Sequence, residues 1–207
     1  MRLIRIKAYV IDFVILIIAL GIINVAIPNS DYSKQLKQDQ NAIMEDYMSG
    51  RIDFSSYVDN YGVVYYQSAL ETQINYLIYF LFMIWYFVII PFIWKGRTLG
   101  CYLCHVQVER FDQGMLHMWQ LMVRYSFVFG LGYVLINNIG IAVLPSNYYF
   151  PVMSIVAIFQ FVLAIFSAMT VLFKTEKRGL HELISDTELT KIIIDPKKNK
   201  KKIKKEI

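Results

Sequence analysis

AYVIDFVILIIALGIINVAI, residues 8–27, runs for twenty residues with a single charge, Asp12. A helix of that length crosses the hydrocarbon core of a bilayer, about 30 Å at 1.5 Å of rise per residue. A carboxylate inside such a helix costs roughly 2.5–3.5 kcal/mol on insertion scales, and it marks a polar partner, a wetted cavity or a transported ion. Three further apolar runs, 77–94, 115–144 and 152–173, have comparable reach, and Arg124 is the only other charge well inside any of the four. The chain of 207 residues is 57% hydrophobic and only 18% charged, below the ~25% of soluble domains. Its mean hydropathy is +0.43. These features predict an all-α integral membrane protein with four transmembrane helices in one bundle.

The predicted spans are about 3–27, 73–94, 116–144 and 152–173. They form one transmembrane domain, 1–194, with an outer loop, 28–72, and a lysine-rich tail, 195–207. Arg2, Arg5 and Lys7 look like the start of a signal peptide. The apolar run after them is too long, however, and lacks a small-x-small cleavage pattern, so helix one is read as retained. Residues 31–48 have helical composition without Pro or Gly. Residues 105–109 alternate like a strand, and Asp112-Gln113-Gly114 reads as a turn, which admits a short cytoplasmic hairpin between helices two and three.

Charge sets the orientation. Basic residues dominate 1–7 and the chain after 174, whereas 28–72 holds three basic and seven acidic residues. With both termini cytoplasmic, the basic segments all face inward and the acidic loop faces out of the cell membrane. Trp94 and Trp119 then lie at the inner interface, and Tyr76, Tyr79, Tyr148 and Tyr149 near the outer one.

Arg5, Ala8 and Asp12 share one face of helix one. Arg5 and Asp12 stand two turns apart, about 10 Å, too far for direct pairing, so Arg5 is expected to snorkel to the headgroups. Arg124 enters the membrane from the same side and is the expected partner of Asp12. Such a pair either fixes helix register or forms a buried polar, ion-binding site. Gly96-Arg97-Thr98-Leu99-Gly100 reads as a tight turn below helix two, and it lacks the ending of a phosphate-binding loop. Residues 179–190 read as an amphipathic segment lying on the membrane. In it, Glu182 and Asp186 share a face beside His181 and could collect cations.

Cys101 and Cys104 lie in a segment expected to be reducing, so no disulfide is implied. Their spacing with His105 is weak evidence for redox or metal chemistry without a second pair. No catalytic residue, metal ligand or cofactor is assigned. Lys197, Lys198, Lys200, Lys201, Lys202, Lys204 and Lys205 are expected to bind anionic lipid headgroups, each contributing on the order of 1 kcal/mol. A tail tethered at the membrane meets lipid before nucleic acid, so no nucleic-acid partner is expected.

Together these segments resemble the RDD family of small membrane proteins, named for one arginine and two aspartates. Arg5 and Asp12 match its opening arginine and first aspartate, seven residues apart. Gly96, Thr98 and Gly100 match its G-x-T-x-G turn, and Arg124 matches its later arginine. Gly179-Leu180-His181 matches its carboxyl-end motif, where Glu182 replaces the second aspartate, Asp186 a glycine, and Thr187 is kept. Cys101 stands where the family usually has lysine. The resemblance implies a membrane protein, with some similar proteins linked to sodium–proton exchange. On that reading Asp12 alternates between a proton and a monovalent cation, and a homo-oligomer completes the path. The alternative is a non-catalytic accessory or scaffold subunit, whose outer loop binds another membrane protein. An enzyme, thiol or hydrolytic, is third.

Overall fold

A computed structural model describes residues 2–27, 30–173 and 178–192. Helix α1 (Arg2–Ala26) opens the chain. α2 (Asp31–Met48) and α3 (Phe54–Glu71) come after it as a helical hairpin. Each begins on a side-chain cap, Ser30 Oγ accepting from Ser33 N–H and Asp53 Oδ1 from Ser56 N–H, which satisfies an otherwise orphaned helix donor. The expected outer loop is therefore almost wholly helical. A ladder of rings through Tyr47, Tyr57, Tyr61 and Tyr65 reaches Tyr149 and Phe150 and seats α3 on the bundle.

α4 (Gln73–Ile93) is the second long apolar helix. Its turn at Trp85–Ile89 widens to π geometry, Ile90 N–H reaching back to the Trp85 carbonyl. Pro91, which has no N–H to give, comes immediately after; π turns of this kind absorb such interruptions in a helix. α5 (Leu99–Leu103) and strand β1 (Val106–Arg110) come next.

α6 (Met118–Phe129) and α7 (Leu131–Val143) meet at 89°. Gly130, at φ 75, is the left-handed residue at the corner, a conformation that costs glycine nothing. α8 (Ser146–Phe173) starts six residues before its predicted position, with Pro151 in its second turn. A short α9 (Leu180–Ile184) and strand β2 (Thr187–Lys191) end the described chain. The lysine tail lies outside the described residues.

α1, α4 and α8 are long and apolar enough to cross a membrane, and the bent pair α6–α7 makes a fourth crossing if it is one span. Only 6% of the apolar window of α8 is buried. Ile155, Ile158, Phe159, Phe161 and Val162 face outward, a surface that suits lipid and not water. Buried Ala8, Leu16, Met83, Tyr86, Phe87, Leu121, Tyr125 and Leu131 fill the middle. A second cluster around Ala69, Ile141, Tyr149 and Met153 lies at the far end, beside α3. Tyr149 is buried there and donates to Asn137 Oδ1, so it does not serve in an aromatic belt.

Two expectations are corrected at the near end, where α1 begins. The strand at 106–110 forms no local hairpin with its downstream neighbours. It pairs antiparallel with β2, Val108 opposite Leu189. Nor is 179–190 one amphipathic helix. Asp186, at φ 50, ends the helical turn, and Thr187-Glu-Leu-Thr-Lys191 then alternates buried and half-buried, the period-two pattern of a strand. Gly96 locks this sheet to α4: its N–H bonds the Pro91 carbonyl, and its own carbonyl accepts from Val108 N–H.

A Cβ on Gly96 would lie 1.8 Å from the Val108 carbonyl oxygen, at φ +82, whereas one on Gly21 would meet nothing within 4 Å. Gly96→Ala should therefore cost more than about 1 kcal/mol, and Gly21→Ala should stay within about 0.5 kcal/mol. Thermal unfolding of the detergent-purified protein checks both; equal effects would contradict the tight approach of the turn to β1.

Candidate functional site

Helix α1 presents Arg5, Ala8, Asp12 and Leu16 along one buried face, as the three-and-four spacing requires. The two charges on that face enter different networks.

Asp12 is 1% exposed and is gripped by the turn after α4. Thr98 Oγ1 donates to Oδ2 at 2.6 Å, Tyr86 OH to Oδ1 at 2.6 Å, and Gly100 N–H to Oδ1 at 2.9 Å. Thr98 also caps α5, its hydroxyl accepting from Cys101 N–H at 3.2 Å. Gly100 has no room for a side chain: a Cβ would stand 2.3 Å from the Ala8 carbonyl oxygen and 2.7 Å from Asp12 Cγ. The G-x-T-x-G turn is thus a cradle for the carboxylate. Gly96 turns the chain, Thr98 donates, and Gly100 lets backbone meet backbone.

Arg124 is not part of that cradle. The expected Asp12–Arg124 pair is not formed, and Arg5 does not snorkel. Both arginines instead converge on Glu182, which is fully buried. Arg5 Nη1 donates to Oε2 at 2.9 Å, and Arg124 Nη2 to Oε1 at 3.2 Å. Gly179 N–H and Leu189 N–H complete four donors around the carboxylate. Arg5 Nη2 also reaches the Leu189 carbonyl, and Arg124 Nη1 the Thr187 hydroxyl. The reason is positional. Helical rise gives how deep a residue sits but not which way it faces, and the carboxyl-terminal segment folds back between α1 and α6.

His181 sits beside this centre. Tyr9 OH accepts from Arg124 Nη2 at 2.6 Å and lies 3.0 Å from His181 Nε2. On the other side of the ring, His181 Nδ1 lies 2.5 Å from Ser167 Oγ. Burial, aided by the Arg124 and Arg5 guanidiniums, holds this imidazole well below its ordinary pKa, so it is neutral. Tyr9, Ser167 and His181 floor a groove of about 350 Å³ between α1, α6 and α8, with Val10, Phe13 and Leu172 at its lips. Val10, Phe13 and Leu172 are about half exposed, so the groove opens sideways.

Of the carboxyl-end motif, His181, Glu182 and Thr187 are buried in the centre. Asp186 is half-exposed, with weak contacts to Arg110 and Arg178 at 3.7 Å. Tyr9, Tyr86, Ser167 and Ser185 were not singled out by the sequence. Only Tyr9 carried a signal, three residues before Asp12 on the same helical face. Cys101 is buried and its thiol is pushed up by that burial, which keeps it protonated and poorly nucleophilic.

The sequence profile of the RDD family matches residues 3–186. The chain belongs to the RDD family, and it is a membrane protein of that family. No curated protein and no solved structure matches it.

Removing one member of a buried, hydrogen-bonded ion group leaves the others uncompensated, at a cost of about 3–5 kcal/mol. Glu182→Gln should lose that much stability, whereas Asp186→Gly, at a left-handed position, should change it by less than about 1 kcal/mol. Denaturant unfolding of both variants in detergent decides; a Glu182→Gln protein as stable as the parent would contradict the four-donor arrangement.

Proposed function

We propose that this RDD-family protein moves a proton or a monovalent cation across the cell membrane, and that Asp12 is the group that binds and releases it. One observation carries the reading. Asp12 is a buried carboxylate inside a span, and its only donors among the described residues are neutral: two hydroxyls and one backbone N–H. Glu182, by contrast, is held by two guanidiniums.

The difference decides which carboxylate exchanges its charge. Protonating Glu182 would strand two buried arginines, which costs several kcal/mol. Protonating Asp12 strands none. Hydroxyls also accept as well as donate. Thr98 and Tyr86 can therefore turn lone pairs toward a protonated carboxyl or a small hard cation, and oxygen donors suit such ions. In this mechanism Arg5, Arg124 and Glu182 are the fixed frame, and the turn at Gly96, Thr98 and Gly100 is the moving jaw.

The protein on this reading has four spans, with α6 and α7 together forming the third, and both termini cytoplasmic. Four helices enclose little space, so a homo-oligomer completes the path. The lysines at 197–205 hold the carboxyl end to anionic headgroups.

A second reading is favoured by α2 and α3. Two capped helices outside the spans expose Tyr32, Met48 and Phe54, a surface that an accessory subunit would offer to a membrane-protein partner. Deletion of residues 31–59 would then release a co-purifying protein, and no flux would be seen.

Proteoliposomes holding only this protein should show pH-gradient-driven cation flux. Asp12→Asn should reduce it to background, and Thr98→Val should weaken it while the fold is retained. Undiminished flux in Asp12→Asn would remove Asp12 from the mechanism.

A further inference from the structure

Where α4 ends, Ile93, Trp94, Lys95, Arg97, Leu99 and Tyr102 enclose a cavity of about 650 Å³. Its walls carry two cations and no carboxylate. Lys95 is exposed and forms no ion pair among the described residues. Arg97 spends Nε and Nη2 on Gln107 Oε1, at 3.1 and 2.8 Å, a neutral acceptor that in turn donates to Glu109. The apolar members are unusually open for a water-facing surface: Ile93 is 67% exposed, Trp94 48% and Tyr102 58%.

The position gives these facts their meaning. Ile93 is the last residue of a helix long and apolar enough to cross a membrane, and the end of such a helix lies where hydrocarbon gives way to headgroups. Indole and phenol rings favour that depth. A ligand that fills the cavity must have an anionic head for Lys95 and Arg97 and a hydrocarbon part for Ile93 and Leu99. We infer that this cavity is a binding site for one anionic phospholipid, whose phosphate sits between Lys95 and Arg97. Its lining includes none of the tail lysines.

The site also adjoins the Asp12 cradle. Arg97 directly precedes Thr98, and Leu99 directly precedes Gly100, two of the three residues that hold the Asp12 carboxylate. A headgroup drawn onto Arg97 therefore bears on the turn itself. Lipid binding stands on its own evidence, however, and does not require that Asp12 carry an ion.

The test is native mass spectrometry of the full chain, delipidated in detergent and offered phosphatidylglycerol and phosphatidylcholine of equal chain length. The parent should retain one phosphatidylglycerol in preference to phosphatidylcholine. Lys95→Gln/Arg97→Gln should bind it about 30-fold more weakly, as two cation–headgroup contacts are lost. A variant with the seven tail lysines changed to Gln should keep the preference, and so should Lys95→Arg, which preserves the charge should the double variant fold poorly. Equal retention of the two lipids by the parent, or a preference that vanishes with the tail lysines, would overturn the assignment. Unchanged binding in the double variant would do the same.

Discussion

Two arginines are buried inside the protein, and the groups packed around them answer most of that cost. A guanidinium removed from water needs an anion and acceptors for its remaining donors. Glu182 supplies the anion to both Arg5 and Arg124. The carbonyl of Leu189 and the hydroxyls of Thr187 and Tyr9 supply the acceptors. Those groups lie in the carboxyl-terminal segment and on α1, so the chain must return to the near end for the arginines to be buried at all. The β1–β2 ladder is how it is held there. Leu189, for example, lends its carbonyl to Arg5, its N–H to Glu182 and its side chain to the core beside Val108.

Keeping the arginines on Glu182 leaves Asp12 to a different environment. Among the described residues, four charged side chains are buried together at this end, two of each sign, yet they divide three against one. In the group of three, Glu182 answers both arginines, so its loss would strand two buried charges. Asp12 faces only hydroxyls and an amide, and those partners belong to α4 and to a short turn shaped by two glycines. Arg5 and Asp12 thus lie on one helix but in two unlike settings, a carboxylate held by guanidiniums and a carboxylate held by neutral donors, and that contrast is the physical basis of the function proposed above.

The run at 115–144 turns by 89° at Gly130, whereas the apolar runs at 8–27, 77–94 and 152–173 were legible as candidate spans because length and apolarity mark one. So was the shared face of Arg5, Ala8 and Asp12, since helical spacing fixes azimuth within one helix. The motif segments around Thr98, Arg124 and Glu182 were recognisable as well. Their partners were not. Arg124 and Asp12 sit at similar depths, and depth alone pairs them; the intrusion of Glu182 depends on how residues 179–191 fold back, which no local pattern records. The strand at 106–110 showed its alternation but not its partner, because β2 lies some eighty residues on. The short stretch 187–191 hid its own alternation beside a helical turn. Asp186 marked that boundary only through its left-handed φ, a conformation that sequence discloses for glycine and not for aspartate.

Double-mutant cycles on unfolding, pairing Arg124→Gln first with Glu182→Gln and then with Asp12→Asn, test the division of charge most directly. Groups in one hydrogen-bonded network couple by about 0.5–3 kcal/mol, and groups without shared partners add to within about 0.5 kcal/mol. Strong coupling of Arg124 to Glu182, with near-additivity toward Asp12, is the expected result. Strong coupling of Arg124 to Asp12, with additivity toward Glu182, would contradict the arrangement on which the rest depends.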